Sequence, residues 1–416
     1  MTLLFPAAWT LALEFQGASA TFEIAPPNRV EVVAETYESL PLWNPNGWCF
    51  TKGFRLFGVR AMECSVAYAL EQGSLRVETS EGRTLVEGTD YQFDSVWASI
   101  GLLEGGAATP DTPLLLSYAY RQQRIDTVVR LPDGSLSLVQ GASDTVLPVP
   151  PKIEQGTPIA NIYVDGRTSA LSDENVFPIE ANIASRDDEK PAPATVPKAA
   201  ERLPKTYQKL LSGETVTILA WGDSVTETTY ITNPEDRWQM QFLRRLEKRF
   251  PKAKITLVSV GWGGRTTTAF LNEPSGSPHN YQEKVLDAKP DLVVSEFIND
   301  SGLFKDQAAF EAQYGRILRD FQERGIEWAI LTPHYSRCDW MGLTSQKHCD
   351  DDPRPYVAYL REFAKTHPVL LADAALRWGR LWREGIPHET LLVNNINHPN
   401  PQGLSFFADA LMKEFE

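Results

Sequence analysis

The chain has 416 residues, room for two ordinary domains, and its 42% hydrophobic and 23% charged content are those of a globular protein with a sizeable core. A net charge of −14 without basic runs argues against phosphate backbones and anionic membrane surfaces, so neither nucleic acid nor membrane is expected as a partner. No apolar run reaches the roughly 18 residues that a spanning helix needs.

Residues 1–165 carry 10 Lys/Arg and 19 Asp/Glu, a net −9 that leaves −5 for the rest. The chain opens on an apolar stretch, Leu3–Leu13, and Ala18-Ser19-Ala20 resembles a signal-peptidase site. No Lys or Arg precedes Arg29, Pro6 interrupts the stretch and Glu14 ends it, so it is expected to be the first strand of the fold. Localisation stays open: secreted or periplasmic if a signal peptide is removed, cytoplasmic otherwise. Short β-branched or alternating runs follow at Arg29–Thr36, Ser74–Thr79, Leu114–Tyr120 and Asp126–Leu131. Turn signals such as Glu81-Gly82 and Pro132-Asp133-Gly134 separate them. This rhythm predicts an all-β sandwich or jelly roll over 1–165. The four cysteines fall in two pairs, Cys49 with Cys64 and Cys338 with Cys349, and none has C-x-x-C spacing. Two local disulfides and four buried thiols fit equally.

Residues 166–200 are expected to be a linker, because Ala184–Ala200 is rich in Pro, Ala and charge and lacks apolar periodicity. From 201 to 416 strand and helix patterns alternate. Strands are expected at Thr215–Ala220, Lys254–Val260, Asp291–Phe297, Trp328–Leu331 and Val369–Leu371. Helices are expected up to Phe250 and over Asp306–Arg324, Pro355–Thr366 and Pro401–Glu416, with Asn400 and Pro401 placed to start the last. That alternation predicts an α/β domain, a doubly wound parallel sheet whose ligand site lies beyond the carboxyl ends of the strands.

The chemically suggestive residues fall at that rim. Ser224, in Gly222-Asp223-Ser224, follows the first strand at a tight turn into a helix, where a hydroxyl stands clear of the backbone. A serine needs a base near neutral pH, and all six histidines lie beyond residue 200. His398 precedes the last helix, which brings it to the same rim. Gly264 follows the second strand in Gly261-Trp262-Gly263-Gly264 and offers an unobstructed backbone N–H; Asn299 follows the third and offers its amide. Trp262 and Arg265 flank those glycines as candidate substrate contacts. His334, after the fourth strand, points to the same rim, with packing as its plainer reading. No cluster has convincing metal-ligand spacing and no phosphate-binding loop is present, so neither metal nor cofactor is expected.

Taken as a set, these residues resemble the SGNH (GDSL-type) hydrolases, with Ser224, Gly264, Asn299 and His398 matching the four blocks over about residues 213–410. The resemblance implies a flavodoxin-like fold in which Ser224 is the nucleophile and His398 its base. The N–H groups of Ser224 and Gly264 and the Asn299 amide would form the oxyanion hole, and no cofactor is needed. Two positions depart from the pattern. Phe297 stands where a glycine is usual, and Asn395 stands where the triad acid is expected, three residues before the histidine. Asparagine can orient an imidazole but brings no charge, so the alternatives are a Ser–His dyad or an acid from elsewhere, with Asp300, Glu296 and Glu389 conceivable. A β-sandwich preceding such a domain resembles two-domain carbohydrate esterases, which implies O-acetyl ester hydrolysis on an acylated carbohydrate. A broad short-chain carboxylesterase, and a glycan-binding protein on a degraded esterase scaffold, are the rival readings.

Overall fold

The computed structural model describes residues 1–181 and 196–416. Two compact units emerge. Met1–Ala181 with Trp382–Ile396 form one, and the described residues 196–381 with Asn397–Glu416 form the other. The segment expected as a linker is therefore divided. Residues 166–181 belong to the first unit, 182–195 lie outside the described residues, and 196–200 begin the second.

The first unit is built on antiparallel sheets. Its strands are β1 (Thr2–Ala7), β2 (Thr10–Phe15), β3 (Ala18–Glu23), β4 (Asn28–Tyr37), β5 (Phe54–Arg55), β6 (Arg76–Thr79) and β7 (Tyr91–Asp94). They continue as β8 (Ser99–Leu102), β9 (Leu114–Gln122), β10 (Arg124–Arg130), β11 (Leu136–Val139), β12 (Thr157–Val164) and β13 (Val176–Pro178). Four sheets result, ordered β1-β2-β3, β4-β9-β6, β5-β8-β7 and β11-β10-β12-β13. The opening apolar stretch folds as two strands instead of one, because the chain turns at Ala8-Trp9. Gln16 and Gly17, both at positive φ (50° and 81°), make the next turn, the backbone that a two-residue hairpin with right-handed twist requires. Alternation then sorts β2: Leu11 and Leu13 are buried with Val128, Ile159 and Ile162, while Glu14 is exposed. A second core collects Leu114, Leu116 and Tyr118 of β9 with Ile100 and Leu102 of β8.

The late segment Trp382–Ile396 joins this unit through hydrogen bonds that span the sequence. Asn161 Nδ2 donates to the Gly385 carbonyl at 2.7 Å, the Glu180 N–H to Arg383 at 2.8 Å, and the Met62 N–H to Val393 at 3.1 Å. Among the described residues no disulfide forms, and all four cysteines are thiols. Burial pushes the Cys349 thiol up to about 12.

The second unit is the doubly wound α/β domain. After α1 (Lys198–Arg202) and α2 (Pro204–Ser212), its strands are β14 (Thr215–Gly222), β15 (Lys254–Gly261), β16 (Leu292–Glu296), β17 (Glu327–Leu331) and β18 (Leu370–Ala372). The sheet order is β15-β14-β16-β17-β18 and every pairing is parallel. The helices between are α3 (Ser224–Glu227), α4 (Trp238–Arg249), α5 (Thr267–Asn272), α6 (Asp300–Leu303), α7 (Gln307–Glu323), α8 (Cys338–Met341), α9 (Pro355–Thr366), α10 (Ala374–Arg380) and α11 (Pro401–Lys413). Alternating strand residues reach opposite helix layers. Leu219, Trp221, Val293 and Trp328 pack with Phe310, Tyr314 and Phe321 of α7 and Leu360 and Phe363 of α9. α4 and α11 pack together elsewhere on the sheet, Trp238 meeting Phe407. Trp221, fully buried, has the rings of Phe270, Tyr281, Phe297 and Phe321 around it. Because β15 and β16 flank β14 on its two sides, the strand order reverses there. A crevice opens at such a reversal, outside the carboxyl end of β14.

Candidate active site

Ser224 stands at that reversal. Gly222 ends β14 with no room for a side chain: a Cβ would sit 2.2 Å from Thr226 Oγ1 and 2.3 Å from the Glu296 carbonyl. Asp223 then caps α3, its Oδ1 accepting the Val225 N–H at 3.1 Å, and Ser224 is the first helical residue. Thr228, in the left-handed region (φ 51°), ends the helix after a single turn. The serine is thus fixed by a capped, glycine-dependent strand-to-helix turn.

His398 reaches it from the other end of the domain. Its Nε2 lies 2.9 Å from Ser224 Oγ, and the residue is only 8% exposed. The loop is held at its far end by Asn400, whose Oδ1 accepts the Gly403 N–H at 2.9 Å, with Pro401 opening α11. It is held from below by His334. That histidine is fully buried, beside Trp378 and Phe407, and its Nε2 lies 2.6 Å from the Asn397 carbonyl. A carbonyl only accepts, so Nε2 carries the proton. His334 is therefore packed beneath the rim, its plainer reading from the sequence, where it supports the residue next to His398.

The glycine loop after β15 approaches the serine closely. A Cβ on Gly261 would lie 2.2 Å from the Glu227 nitrogen, and one on Gly263 would lie 3.8 Å from Ser224 Cβ. Glu227 Oε2 accepts the Gly263 N–H at 2.8 Å. Gly264 follows in the left-handed region (φ 69°), open to solvent, and among the described residues nothing accepts its N–H. Asn299 is tied down twice by one oxygen: its backbone N–H and its Nδ2 donate to Asp223 Oδ2 at 3.0 and 2.9 Å. One amide hydrogen is so engaged, which leaves the second as a donor of fixed direction.

Trp262 and Arg265 take different places. The indole stacks on His279 at 4.3 Å with rings 5° apart and meets Phe270 edge-on, so much of it belongs to the core. Arg265 is exposed, its guanidinium 5.1 Å from the indole centroid. Asn395 has φ 54°, and its N–H donates to the Leu392 carbonyl at 2.9 Å. Asparagine tolerates the left-handed region better than most residues, which suits the backbone at 395.

Three carboxyls are buried beneath the rim. Burial pushes Asp223 up to about 6, against the pull of N–H donors from Asn299 and Val225 and of His398. Burial likewise pushes Asp300 up to about 7, although Thr267 N–H, Thr267 Oγ1 and Tyr314 Oη bond it at 3.0, 2.7 and 3.0 Å. Glu296 is raised well above the carboxylate range by burial, reinforced by Asp223 and Asp300. Among the described residues neither of its oxygens has a hydrogen-bond partner. The hydrogen bonds of Asp300 go to Thr267 and Tyr314, so neither it nor Glu296 serves as a hydrogen-bonded acid for His398. The charges of Asp223 and His398 act on each other. Sequence reasoning passed over three residues here: Asp223, Glu227 and Tyr230, whose ring stacks on His398 at 4.4 Å. Asp223 and Glu227 flank the nucleophile, one residue before it and one helical turn after it, a positional signal that was available. Tyr230 carried none.

Comparison with known proteins bears on the same region. Residues 220–404 match the GDSL-like lipase/acylhydrolase family. Among curated proteins, none matches the sequence. Of solved structures, a two-domain esterase (CEX) active on acetylated mannans, co-crystallised with mannopentaose, is similar at 18% identity and a TM-score of 0.41. The match covers 51% of this chain and 53% of that one, about half the length of the relative. Axe2, an acetylxylan esterase from Geobacillus stearothermophilus, is similar at 19% identity and a TM-score of 0.38, over 48% of this chain and 93% of that one. The acetyl xylan esterase AlAXEase is similar at 20% identity and a TM-score of 0.36, over 47% and 98%.

Proposed function

We propose, from the premise that residues 220–404 form a GDSL-like lipase/acylhydrolase domain, that the protein is a serine esterase removing O-acetyl or other short-chain acyl groups from a carbohydrate. The observation that carries this reading is the 2.9 Å approach of His398 Nε2 to Ser224 Oγ at the reversal of the sheet. In the reaction Ser224 Oγ attacks the acyl carbonyl while His398 takes its proton. The oxyanion that forms is met by the N–H groups of Ser224 and Gly264 and by the second amide hydrogen of Asn299. His398 then protonates the departing sugar hydroxyl, leaving an acyl-serine. A water deprotonated by His398 attacks it and releases the carboxylic acid. No step calls for a metal or cofactor. The carbohydrate part of the reading rests on the pairing of this domain with an all-β unit, the arrangement that resembles two-domain carbohydrate esterases.

An acetate-release screen across acetylated xylan, mannan and pectin, run beside Ser224→Ala, tests it. Release by the wild type, lost by several powers of ten in Ser224→Ala with folding retained, is the expected result. Turnover of p-nitrophenyl acetate without release from any polysaccharide would leave a broad carboxylesterase. Absence of hydrolysis on every substrate would leave a glycan-binding scaffold.

A further inference from the structure

Six residues after the serine, the same loop returns to the histidine. Thr228 reverses the chain in the left-handed region, and the Ile231 N–H donates to its carbonyl at 3.0 Å. This turn lays Tyr230 on His398: the ring centroids are 4.4 Å apart and the planes differ by 5°. Both residues are buried, at 6% and 8% exposure. One short segment therefore holds the imidazole twice, Ser224 Oγ at its Nε2 edge and Tyr230 across its face.

We propose that Tyr230 is a positioning residue for His398: the stacked phenol keeps Nε2 on Ser224 Oγ and stabilises the imidazolium that forms during acyl transfer. This rests on the esterase reading of the site. A face-on contact leaves the plane of the imidazole, in which Nε2 meets Ser224 Oγ, unobstructed. The negative face of an aromatic ring attracts a cation above it, and the attraction strengthens where water is excluded. Among the titratable groups nearby, Asp223 interacts electrostatically with the histidine, and His334 bonds the Asn397 carbonyl next to it. With Asn395 at the position where a triad acid is expected, the stack supplies by polarisation part of what a carboxylate would supply by charge. A stack that favours the charged ring makes its protonation easier, and removing the stack makes it harder.

The test is the pH dependence of kcat and kcat/KM for p-nitrophenyl acetate in wild type, Tyr230→Phe, Tyr230→Met and Ser224→Ala. Tyr230→Phe keeps the stack and is expected to stay within about threefold of wild type at every pH. Tyr230→Met is expected to lower kcat about tenfold or more with little change in KM, and to move the acidic limb to lower pH. A titration of the His398 imidazole by NMR reads the same stabilisation without turnover and is expected to give a lower pKa in Tyr230→Met. An unmoved limb with wild-type kcat in Tyr230→Met, while Ser224→Ala is inactive, would overturn the proposal. So would equal impairment of Tyr230→Phe and Tyr230→Met, which would assign the effect to the hydroxyl. Activity retained by Ser224→Ala would instead overturn the esterase reading itself.

Discussion

Glu227 Oε2 accepts the N–H of Gly263 at 2.8 Å, a bond from the end of the serine's own helical turn to the glycine loop after the neighbouring strand. It fixes the peptide that precedes Gly264, whose N–H is a proposed oxyanion donor. Oxyanion donors must sit within about 2.7–3.1 Å of the developing charge, so a loop released by a few tenths of an ångström loses stabilisation in the transition state. Glu227→Gln keeps an acceptor and should preserve kcat within a few fold. Glu227→Ala should lower kcat by roughly 10- to 100-fold with KM little changed. Steady-state kinetics on p-nitrophenyl acetate decide it, and equal loss in both variants would show that the charge matters instead of the bond.

Asp223 accepts three N–H donors, two from Asn299 and one from Val225. An asparagine in its place has one acceptor oxygen, so either orientation sets an amide donor against a backbone donor in a buried site. Asp223→Asn is expected to lose about 1–3 kcal/mol of stability and to lower kcat by more than about tenfold, because Asn299 loses its tether. Thermal melts with kcat measurements test both effects. A variant as stable and as active as wild type would remove Asp223 from the site's support.

Asp223 and Asp300 are raised by burial to about 6 and about 7, above their values in an unfolded chain. Each therefore adds stability that is complete below about pH 4 and is lost as pH rises through its folded value. The melting temperature of the α/β unit should fall between pH 5 and pH 8, with Asp300 contributing on the order of a few kcal/mol. Asp300→Asn cannot ionise, keeps an acceptor for the Thr267 N–H, and should narrow the difference between melts at the two pH values. A difference as wide as in wild type would contradict this assignment.

In the all-β unit, Arg124 and Asp126 form a fully buried pair at 2.7 Å. The guanidinium also donates to the Ala25 and Pro26 carbonyls, and Asp126 accepts the Gly141 N–H. Removing one charge strands the other, which typically costs about 3–5 kcal/mol. Asp126→Ala should destabilise this unit by that order, while Arg124→Met with Asp126→Leu should recover much of the loss. Denaturant titrations of the three proteins test it, and a single variant within about 0.5 kcal/mol of wild type would contradict it.

The strand and helix patterns around Ser224, Gly264, Asn299 and His398 are short-range, set by periodicity and capping over a dozen residues. The linear chain therefore determined both the doubly wound sheet and the rim where these residues fall. Asn400 and Pro401 are a clear case, since a cap acts within one helical turn. The membership of Trp382–Ile396 in the all-β unit could not be read this way, because its partners Met62, Asn161 and Glu180 lie about two to three hundred residues earlier. Nor could the partner of His334: its plainer reading as a packing residue did not reveal that its ring turns inward beneath Asn397. Tyr230 and Glu227 are near the serine in sequence, yet the one stacks on the imidazole and the other grips the glycine loop only because a left-handed turn at Thr228 and a side-chain-free approach at Gly261 bring them there. Local pattern encodes which face of an element is buried. Which distant loop meets that face, and which way each side chain then points, are decided by packing of the whole domain.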